Sequence, residues 1–157
     1  MDKITPSHRS WNMSRISSKD TKPEMIVRKL LCESGIKGYR LHWKKVPGNP
    51  DICFPGRKIA IFIHGCFWHR HGNCKDATMP KSNTDFWVRK FSANMARDKK
   101  AKSELENSGW KVITIWECEI KNREILKNII HKEMGHLIKN DEMMAAEPNP
   151  DYNKQSI

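Results

Sequence analysis

The chain has 157 residues, a length typical of one domain with its own core. Its 29 Lys and Arg residues outnumber its 18 Asp and Glu residues, and the resulting charge of +11 favours a polyanionic partner, nucleic acid first. The polar N-terminus and the lack of an apolar run of membrane length argue against a signal peptide or a membrane span. An odd number of cysteines, five, favours reduced thiols in a cytoplasm.

Residues 1–20 are polar and basic, and they are predicted to form an arm or a short helix outside the core. Trp11 and Met13 lie there among the basic side chains Arg15 and Lys19. Two interpretations of this apolar pair stay open at this point. The pair contacts a partner, or it packs back on the domain.

A helix is predicted from Thr21 to about Glu33. Thr21 can cap its N-terminus, and Pro23 suits its first turn. Glu24, at the third helical position, completes a capping box. Gly35 ends the helix. Glu24 therefore has a structural explanation that requires no catalytic role.

Three strands are predicted next, at 39–43, 51–54 and 58–64, with turns at 46–50 and 55–56. The tight turn between the last two strands predicts an antiparallel hairpin. The third strand is apolar almost throughout, as expected when both faces of a sheet are covered.

Metal-binding residue types are concentrated in the loop after the third strand. Cys66, His71 and Cys74 are spaced C-x4-H-x2-C, which suits three corners of a zinc tetrahedron. The fourth ligand must come from elsewhere, and Cys118, after a later apolar strand, is the best candidate. The alternative is that the histidines are solvated and the cysteines fill the core.

The remaining predicted elements are a helix at 84–107, a strand at 111–116, a helix at about 121–137 and a polar, disordered tail at 139–157. The inward residues of the first helix are predicted to be Phe86, Trp87, Phe91, Met95 and Leu105. Those of the second are predicted to be Ile125, Ile129 and Ile130. This element order predicts a single α/β domain with a mixed central sheet flanked by helices.

Asp51 begins a strand whose neighbour ends at His64, so its carboxylate can hold Mg²⁺ near that end. Such a cation polarises a phosphodiester and generates hydroxide. His64 and His69 are the nearby imidazoles that can accept a proton. Asp98, on the apolar side of its helix, needs a partner, solvent or a ligand. The alternative for Asp51 is a turn-capping role after proline.

Several strings resemble, in order along residues 8–120, the very short patch repair (Vsr) endonucleases: NMSRISSKDTKPE, PGNPD, IFIHGCFWHRH, TDFW and WEC. That family lies within the PD-(D/E)xK nucleases, so the resemblance implies a restriction-endonuclease-like core at 21–138 with a structural zinc. It also implies a Mg²⁺-dependent, strand-specific endonuclease. The DNA substrate would carry a T:G mismatch left by deamination of 5-methylcytosine, nicked beside the thymine.

The resemblance also implies roles for the residues of the active site. Asp51 would bind the magnesium together with the backbone carbonyl of Ile63, where the family usually has Thr. His69 would be the general base, and His64 a second acid–base or water-orienting group. The residues that would hold metal-bound waters are Glu24 and Asp98. The zinc ligands would be Cys66, His71, Cys74 and Cys118, with a His71–Cys74 spacing one residue longer than is usual.

For DNA recognition the resemblance implies that Phe67 and Trp68 enter the base stack beside the mismatch, where unstacking costs least. Met13 would insert in the minor groove, and Arg15 and Lys19 would contact the DNA backbone. The enzyme would be a monomer in the bacterial cytoplasm, associated with the nucleoid. It would be linked to a DNA cytosine methyltransferase and to general mismatch-repair proteins.

Two other functions compete with the nuclease. One is a non-catalytic, zinc-stabilised module that binds mismatched DNA. The other is a zinc hydrolase in which His69 and His71 bind a catalytic zinc, which leaves Asp51 and the basic charge unexplained.

Overall fold

The computed structural model describes residues 4–144, with side chains described to residue 138. In this part of the chain the strands are β1 (Arg40–Leu41), β2 (Ile52–Phe54), β3 (Ile59–His64) and β4 (Lys111–Trp116). The helices are α1 (Pro6–Ser14), α2 (Lys22–Glu33), α3 (Cys66–His69), α4 (Thr84–Asn107), α5 (Glu117–Ile120) and α6 (Arg123–Met144). A short 3-10 turn, Pro55–Arg57, joins β2 to β3.

The strands form one mixed sheet in the order β1-β2-β3-β4. The pairs β1–β2 and β2–β3 are antiparallel, and the pair β3–β4 is parallel. The predicted α/β class, mixed sheet and β2–β3 hairpin are therefore confirmed. β1 is shorter than the predicted strand 39–43, because His42 has a φ of +47° and leaves the extended conformation.

Strand alternation divides β3 and β4 between two faces of the sheet. Ile59 and Ile61 join the main apolar core, which α2 and α6 cover. Phe62, His64 and Trp116 point to the opposite face, on the side of α4. The core is formed by Val27, Leu30, Leu31, Ile36, Ile52, Phe54, Ile59, Ile61, Ile113, Ile115, Ile120, Leu126, Ile130, Met134 and Leu137.

α4 has the predicted bounds, but its buried side differs from the prediction. The buried residues of this helix are Phe91, Asn94, Ala101 and Leu105. Phe86 and Met95 are 52% and 50% exposed, so their predicted inward position is wrong. At 100° per residue both lie roughly 90° around the helix from the mean direction of the buried set.

α6 extends beyond its predicted end at residue 137 and runs to Met144. The first part of the predicted tail, 139–144, is therefore helical, because no proline interrupts the chain before Pro148. The rest of the tail, 145–157, lies outside the described residues. Ile125, predicted to face inward, is 44% exposed, and Leu126 is buried in its place.

α1 contains no buried residue, and Trp11 and Met13 on it are 52% and 40% exposed. The ring of Trp11 contacts the guanidinium of Arg15 at 4.3 Å. Across residues 4–144, no helix has the length and apolarity needed to cross a membrane.

Candidate active site

A cleft of about 760 Å³ opens where β3 ends, between the N-terminus of α2 and the middle of α4. Every residue for which the sequence predicted a catalytic or magnesium-binding role lines this cleft: Glu24, Asp51, Ile63, His64, His69 and Asp98. The fold gathers them from α2, the start of β2, the end of β3, α3 and α4. Their roles stay predictions, but their proximity is a property of the structure.

The Asp51 carboxylate is bound by the neighbouring strand β3 and not by the turn that precedes Asp51. Its Oδ2 accepts a hydrogen bond of 2.7 Å from the backbone N–H of Ile63, across the β2–β3 hairpin. Burial raises the pKa of Asp51 to about 6, against the effect of that bond, and the carboxylate of Glu24 adds to the rise. A desolvated carboxylate in a cleft, with its pKa raised, is a group that a divalent cation would stabilise in the ionised form.

His69 and Asp98 form a close pair, with 2.6 Å between Nδ1 of the imidazole and Oδ2 of the carboxylate. The carboxylate accepts, so Nδ1 carries the hydrogen and Nε2 keeps a free lone pair in the neutral ring. This is the geometry of a general base oriented by a carboxylate. It also provides the partner that the lone Asp98 required.

His64 stacks on His69, with 3.9 Å between ring centroids and 5° between ring planes. Trp116 contacts His64 edge-on at 5.3 Å, as the β3–β4 pairing of these two positions requires. Burial, with the neighbouring His69, lowers the pKa of His64 to about 4. His64 is therefore a neutral imidazole at neutral pH, which suits orienting water better than donating a proton.

Glu24 is 4% exposed and belongs both to the helix cap and to the cleft. Its oxygens accept hydrogen bonds from the Asp20 N–H at 3.0 Å and the Thr21 hydroxyl at 3.2 Å. In a capping box the Glu24 side chain would accept from the backbone N–H of the N-cap residue, Thr21. Here it accepts from the N–H of Asp20, one residue earlier. Arg28, one helical turn later, donates to the same carboxylate at 3.0 Å.

The predicted zinc ligands come together in a second cluster, and none of the four lines the cleft. The donor atoms of Cys66, His71, Cys74 and Cys118 all lie within 4.8 Å of one another. His71 Nδ1 is 3.7 Å from the sulfur of Cys66 and 3.3 Å from that of Cys118. A tetrahedral zinc requires about 3.6 Å between such nitrogen and sulfur ligands, so the set fits this ion.

The backbone adopts the left-handed conformation on both sides of His71. Arg70 and Asn73 have φ values of +56° and +54°. The ring of His71 also stacks on Trp116, with 4.2 Å between centroids and 9° between planes. Desolvation, with the neighbouring thiol of Cys66, raises the pKa of Cys118 to about 12, a shift that a bound cation would reverse.

Phe67 and Trp68, on α3, are half-buried and pack edge-on against each other at 5.1 Å. Trp87 of α4 contacts both rings, at 5.5 and 5.9 Å. A groove of about 750 Å³ beside them is also lined by Met13 of α1. The structure thus brings the predicted recognition residues of two distant segments to one groove. Arg15 is exposed nearby in sequence, just after α1.

Sequence comparisons identify the family of this chain. A family model described as DNA mismatch endonuclease Vsr matches residues 1–76. The chain is 38% identical over 125 residues to the DNA mismatch endonuclease Vsr of Escherichia coli. The aligned residues cover 80% of this chain and 77% of that enzyme. The chain belongs to the Vsr DNA mismatch endonuclease family.

Nicking enzymes are also among its relatives. The chain is 47% identical over 131 residues to the type II nicking enzyme V.NmeAIP of Neisseria meningitidis, covering 83% of this chain and 92% of that enzyme. It is 45% identical over 121 residues to V.XorIIP of Xanthomonas oryzae, at 77% and 88% coverage. These names confirm the predicted activity class: this Vsr-family chain is a DNA endonuclease. A non-catalytic module does not fit them, and His69 and His71 belong to separate clusters.

Sequence reasoning missed two residues that line this Vsr-family cleft, Gly48 and Asn94, and a third that lies beside Asp51, His42. Gly48, with a φ of +78°, lies so close to α4 that an added Cβ would be 2.6 Å from the Cβ of Ala101. Asn94, 9% exposed, donates to the carbonyl of Trp68 at 3.0 Å and so ties α3 to α4. His42 lies between the carboxylates of Glu24 and Asp51. The glycine in PGNP was the one signal of a close approach that the sequence offered.

Proposed function

We propose that this Vsr-family endonuclease is Mg²⁺-dependent and strand-specific, and that it nicks double-stranded DNA beside the thymine of T:G mismatches left by deamination of 5-methylcytosine. The observation that carries the proposal is the convergence of a desolvated Asp51 and a His69–Asp98 pair in one cleft. A carboxylate for the cation and an oriented base are the two groups that phosphodiester hydrolysis requires.

Asp51 and the backbone carbonyl of Ile63 would hold the magnesium. The aliphatic side chain of Ile63 leaves its backbone carbonyl free to bind the ion. When bound, Mg²⁺ supplies Lewis-acid stabilisation of the phosphate and a lower pKa for bound water. The fit rests on the burial of Asp51 and on its place in a cleft of polar groups. Glu24 and Asp98 would position waters around it.

His69 accepts the proton of the attacking water at Nε2, and Asp98 stabilises the resulting imidazolium through Nδ1. The water oxygen bonds to phosphorus while the bond to the leaving sugar oxygen breaks, and the leaving oxygen takes up a proton from solvent to become a hydroxyl. His64, stacked on His69 and neutral, orients the water.

A structural zinc on Cys66, His71, Cys74 and Cys118 would hold α3 rigidly against β4 and α5. A rigid α3 loses little entropy when Phe67 and Trp68 enter the base stack. Met13 would insert in the minor groove, which is consistent with its place in the same groove as Trp68. Arg15 and Lys19 would contact the DNA backbone.

The enzyme is further proposed to act as a monomer in the bacterial cytoplasm, with an arm at 1–20 and a nuclease domain at 21–138. It would repair mismatches that arise at cytosines methylated by a DNA cytosine methyltransferase. We also propose a functional link to general mismatch-repair proteins.

The test is incubation of the purified protein with matched T:G and C:G duplexes, each strand labelled separately, with and without Mg²⁺. We expect nicking of the thymine strand of T:G DNA only, and only with Mg²⁺. Asp51→Ala and His69→Ala should remove most nicking while DNA binding is retained. Nicking at the parental rate by both variants would show that the active site lies elsewhere.

A further inference from the structure

One side of α4 forms a wall of the cleft. The residues that line the cleft from this helix are Asn94, Arg97, Asp98 and Ala101, which are spaced i, i+3, i+4 and i+7 and so share one side. Asp98 is paired with His69. The helix therefore presents the guanidinium of Arg97 to the same cleft as the proposed general base.

The charges that line the cleft are mostly negative. Among the described residues its carboxylates are those of Glu24, Asp51, Asp98 and Glu117, and its one Lys or Arg is Arg97. Each phosphate of DNA carries a negative charge, so carboxylates alone would repel it. A guanidinium carries its charge permanently, and it therefore offsets part of this repulsion whether or not a metal ion is bound.

The guanidinium of Arg97 is oriented by a single contact. One terminal nitrogen donates to Oδ1 of Asn94, one helical turn earlier, and Nδ2 of Asn94 donates to the carbonyl of Trp68 at 3.0 Å. Within the side chains that the structure describes, Arg97 forms no other hydrogen bond and no ion pair. A guanidinium has several N–H donors in a planar fork, so donors remain that match the oxygens of a phosphate.

We propose that Arg97 is a further catalytic residue, whose guanidinium donates hydrogen bonds to the non-bridging oxygens of the phosphate that is nicked. Negative charge on these oxygens grows as water attacks phosphorus, so this contact stabilises the transition state more than the bound substrate. The proposal rests on the proposed function in one respect, namely that DNA is cleaved in this cleft.

The experiment compares two duplexes that differ at one phosphate. The first is a mismatched duplex that the parent enzyme nicks, and the second carries an uncharged methylphosphonate at the position of the nick. Binding of the full-length parent and of Arg97→Met is measured by anisotropy in buffer without divalent ions. On the all-phosphate duplex, Arg97→Met should weaken binding about tenfold or more, as expected for a hydrogen bond between charged groups. On the methylphosphonate duplex the two proteins should bind equally well.

Single-turnover nicking at saturating enzyme separates catalysis from binding. The rate of Arg97→Met on the all-phosphate duplex should fall about 10²-fold or more. Arg97→Lys keeps the charge without the planar fork and should recover part of both the affinity and the rate.

Lys100→Met is the matched control. It removes one positive charge from the same helix, at an exposed side chain that pairs with Glu104 and does not line the cleft. Its effect on binding should be the same for both duplexes, and its saturated nicking rate should equal that of the parent.

An equal loss of affinity on both duplexes, or a parental rate of saturated nicking by Arg97→Met, would overturn the proposal. Melting temperatures establish that the variants are folded, and Arg97→Gln provides a second variant without the charge that should behave as Arg97→Met does. The proposed function is tested separately by Asp51→Asn. Nicking by that variant at the parental rate would refute the role of Asp51 but leave the Arg97 comparison valid, since binding is measured without Mg²⁺.

Discussion

At the scale of single residues, the cleft holds titratable groups whose environments shift their affinities for protons in opposite directions. Burial raises the pKa of Asp51 to about 6. Burial also lowers the pKa of His64 to about 4, because desolvation disfavours whichever form is charged. Near neutral pH, Asp51 is therefore ionised at a cost in folding stability, and His64 is neutral. This is the pattern of a site arranged for a ligand rather than for stability.

Replacement of Asp51 by Asn should stabilise the protein in the absence of divalent ions. Because the folded state binds the Asp51 proton more tightly than the unfolded state, the stability penalty develops between pH 3.8 and about 6 and is complete above it. Asp51→Asn should relieve at most about 3 kcal/mol at pH 8. Urea denaturation in chelator-free, metal-depleted buffer, which spares the zinc, measures the difference. A gain that fails to shrink as pH falls from 6 towards 4 would contradict this account.

Replacement of Asp98 by Asn should impair nicking while leaving DNA affinity unchanged. An Asn amide can donate to Nδ1 of His69, which places the hydrogen on Nε2 and removes the lone pair that accepts the proton. A loss of about 10²- to 10⁴-fold in single-turnover nicking is expected. Binding of T:G duplex, measured by anisotropy, is the control. Nicking at the parental rate would show that the His69–Asp98 pair has no catalytic role.

At the scale of elements, contacts between α3, α4 and the loop before β2 bring the site together. Gly48 of that loop lies against Ala101 of α4, and Asn94 of α4 binds the backbone of α3. The cysteine–histidine cluster then joins α3 to the residues after β4. Each contact orients a short element that has little core of its own.

Gly48→Ala should destabilise the protein and reduce nicking. Its Cβ would approach Ala101 to 2.6 Å, and its φ of +78° is unfavourable for alanine. A cost of roughly 1–3 kcal/mol is expected from overpacking and backbone strain. Gly56→Ala is the matched control, because nothing lies within 4 Å of its added Cβ. Equal melting temperatures for the two variants would argue against the close approach at Gly48.

Cys118→Ser should remove the proposed zinc and lower the melting temperature, since structural zinc contributes folding free energy directly. Elemental analysis should find one zinc per parent chain and less in this variant. Cys32→Ser, at an exposed cysteine outside the cluster, should change neither quantity. Well-folded parent protein without zinc would refute the structural role.

At the scale of the whole molecule, a chain with a net charge of +11 forms a cleft that is lined by four carboxylates. Positive charge gives affinity for any duplex, and this affinity weakens steeply with salt. It cannot distinguish T:G from C:G. Discrimination must come from the lower energy needed to deform the DNA at the mismatched base step. The aromatic side chains of Phe67 and Trp68 on α3, packed with Trp87 of α4, are the proposed wedge that deforms this step.

Trp68→Ala should therefore lower the T:G over C:G cleavage ratio by about tenfold or more at fixed salt, which corresponds to roughly 1–3 kcal/mol of lost stacking. Arg15→Ala should instead weaken binding to both duplexes alike and lower the salt dependence by about one phosphate contact. Cleavage ratios and binding constants at several salt concentrations separate the two effects. A harmless Trp68→Ala together with loss of mismatch preference in Arg15→Ala would exclude the wedge.

Contiguous motifs made much of this molecule predictable from its sequence. The proposed zinc ligands Cys66, His71 and Cys74 lie within nine residues, and the bounds of α4 followed from its end signals. The order of elements led to the α/β class, because strands that are apolar on both faces require helices on both sides. The family followed from strings such as HGCFWH, and the relatives confirmed it.

Tertiary structure decided what depends on residues far apart in the chain. The left-handed backbone of His42 places its ring between Glu24 and Asp51, and no local signal predicts that conformation. The pairing of Arg28 with Asp20 and the contact of Gly48 with α4 likewise appear only once the elements pack. Apolar spacing also failed to orient Met95, because a helix buries the side that its neighbours cover, and those neighbours are set by the whole fold.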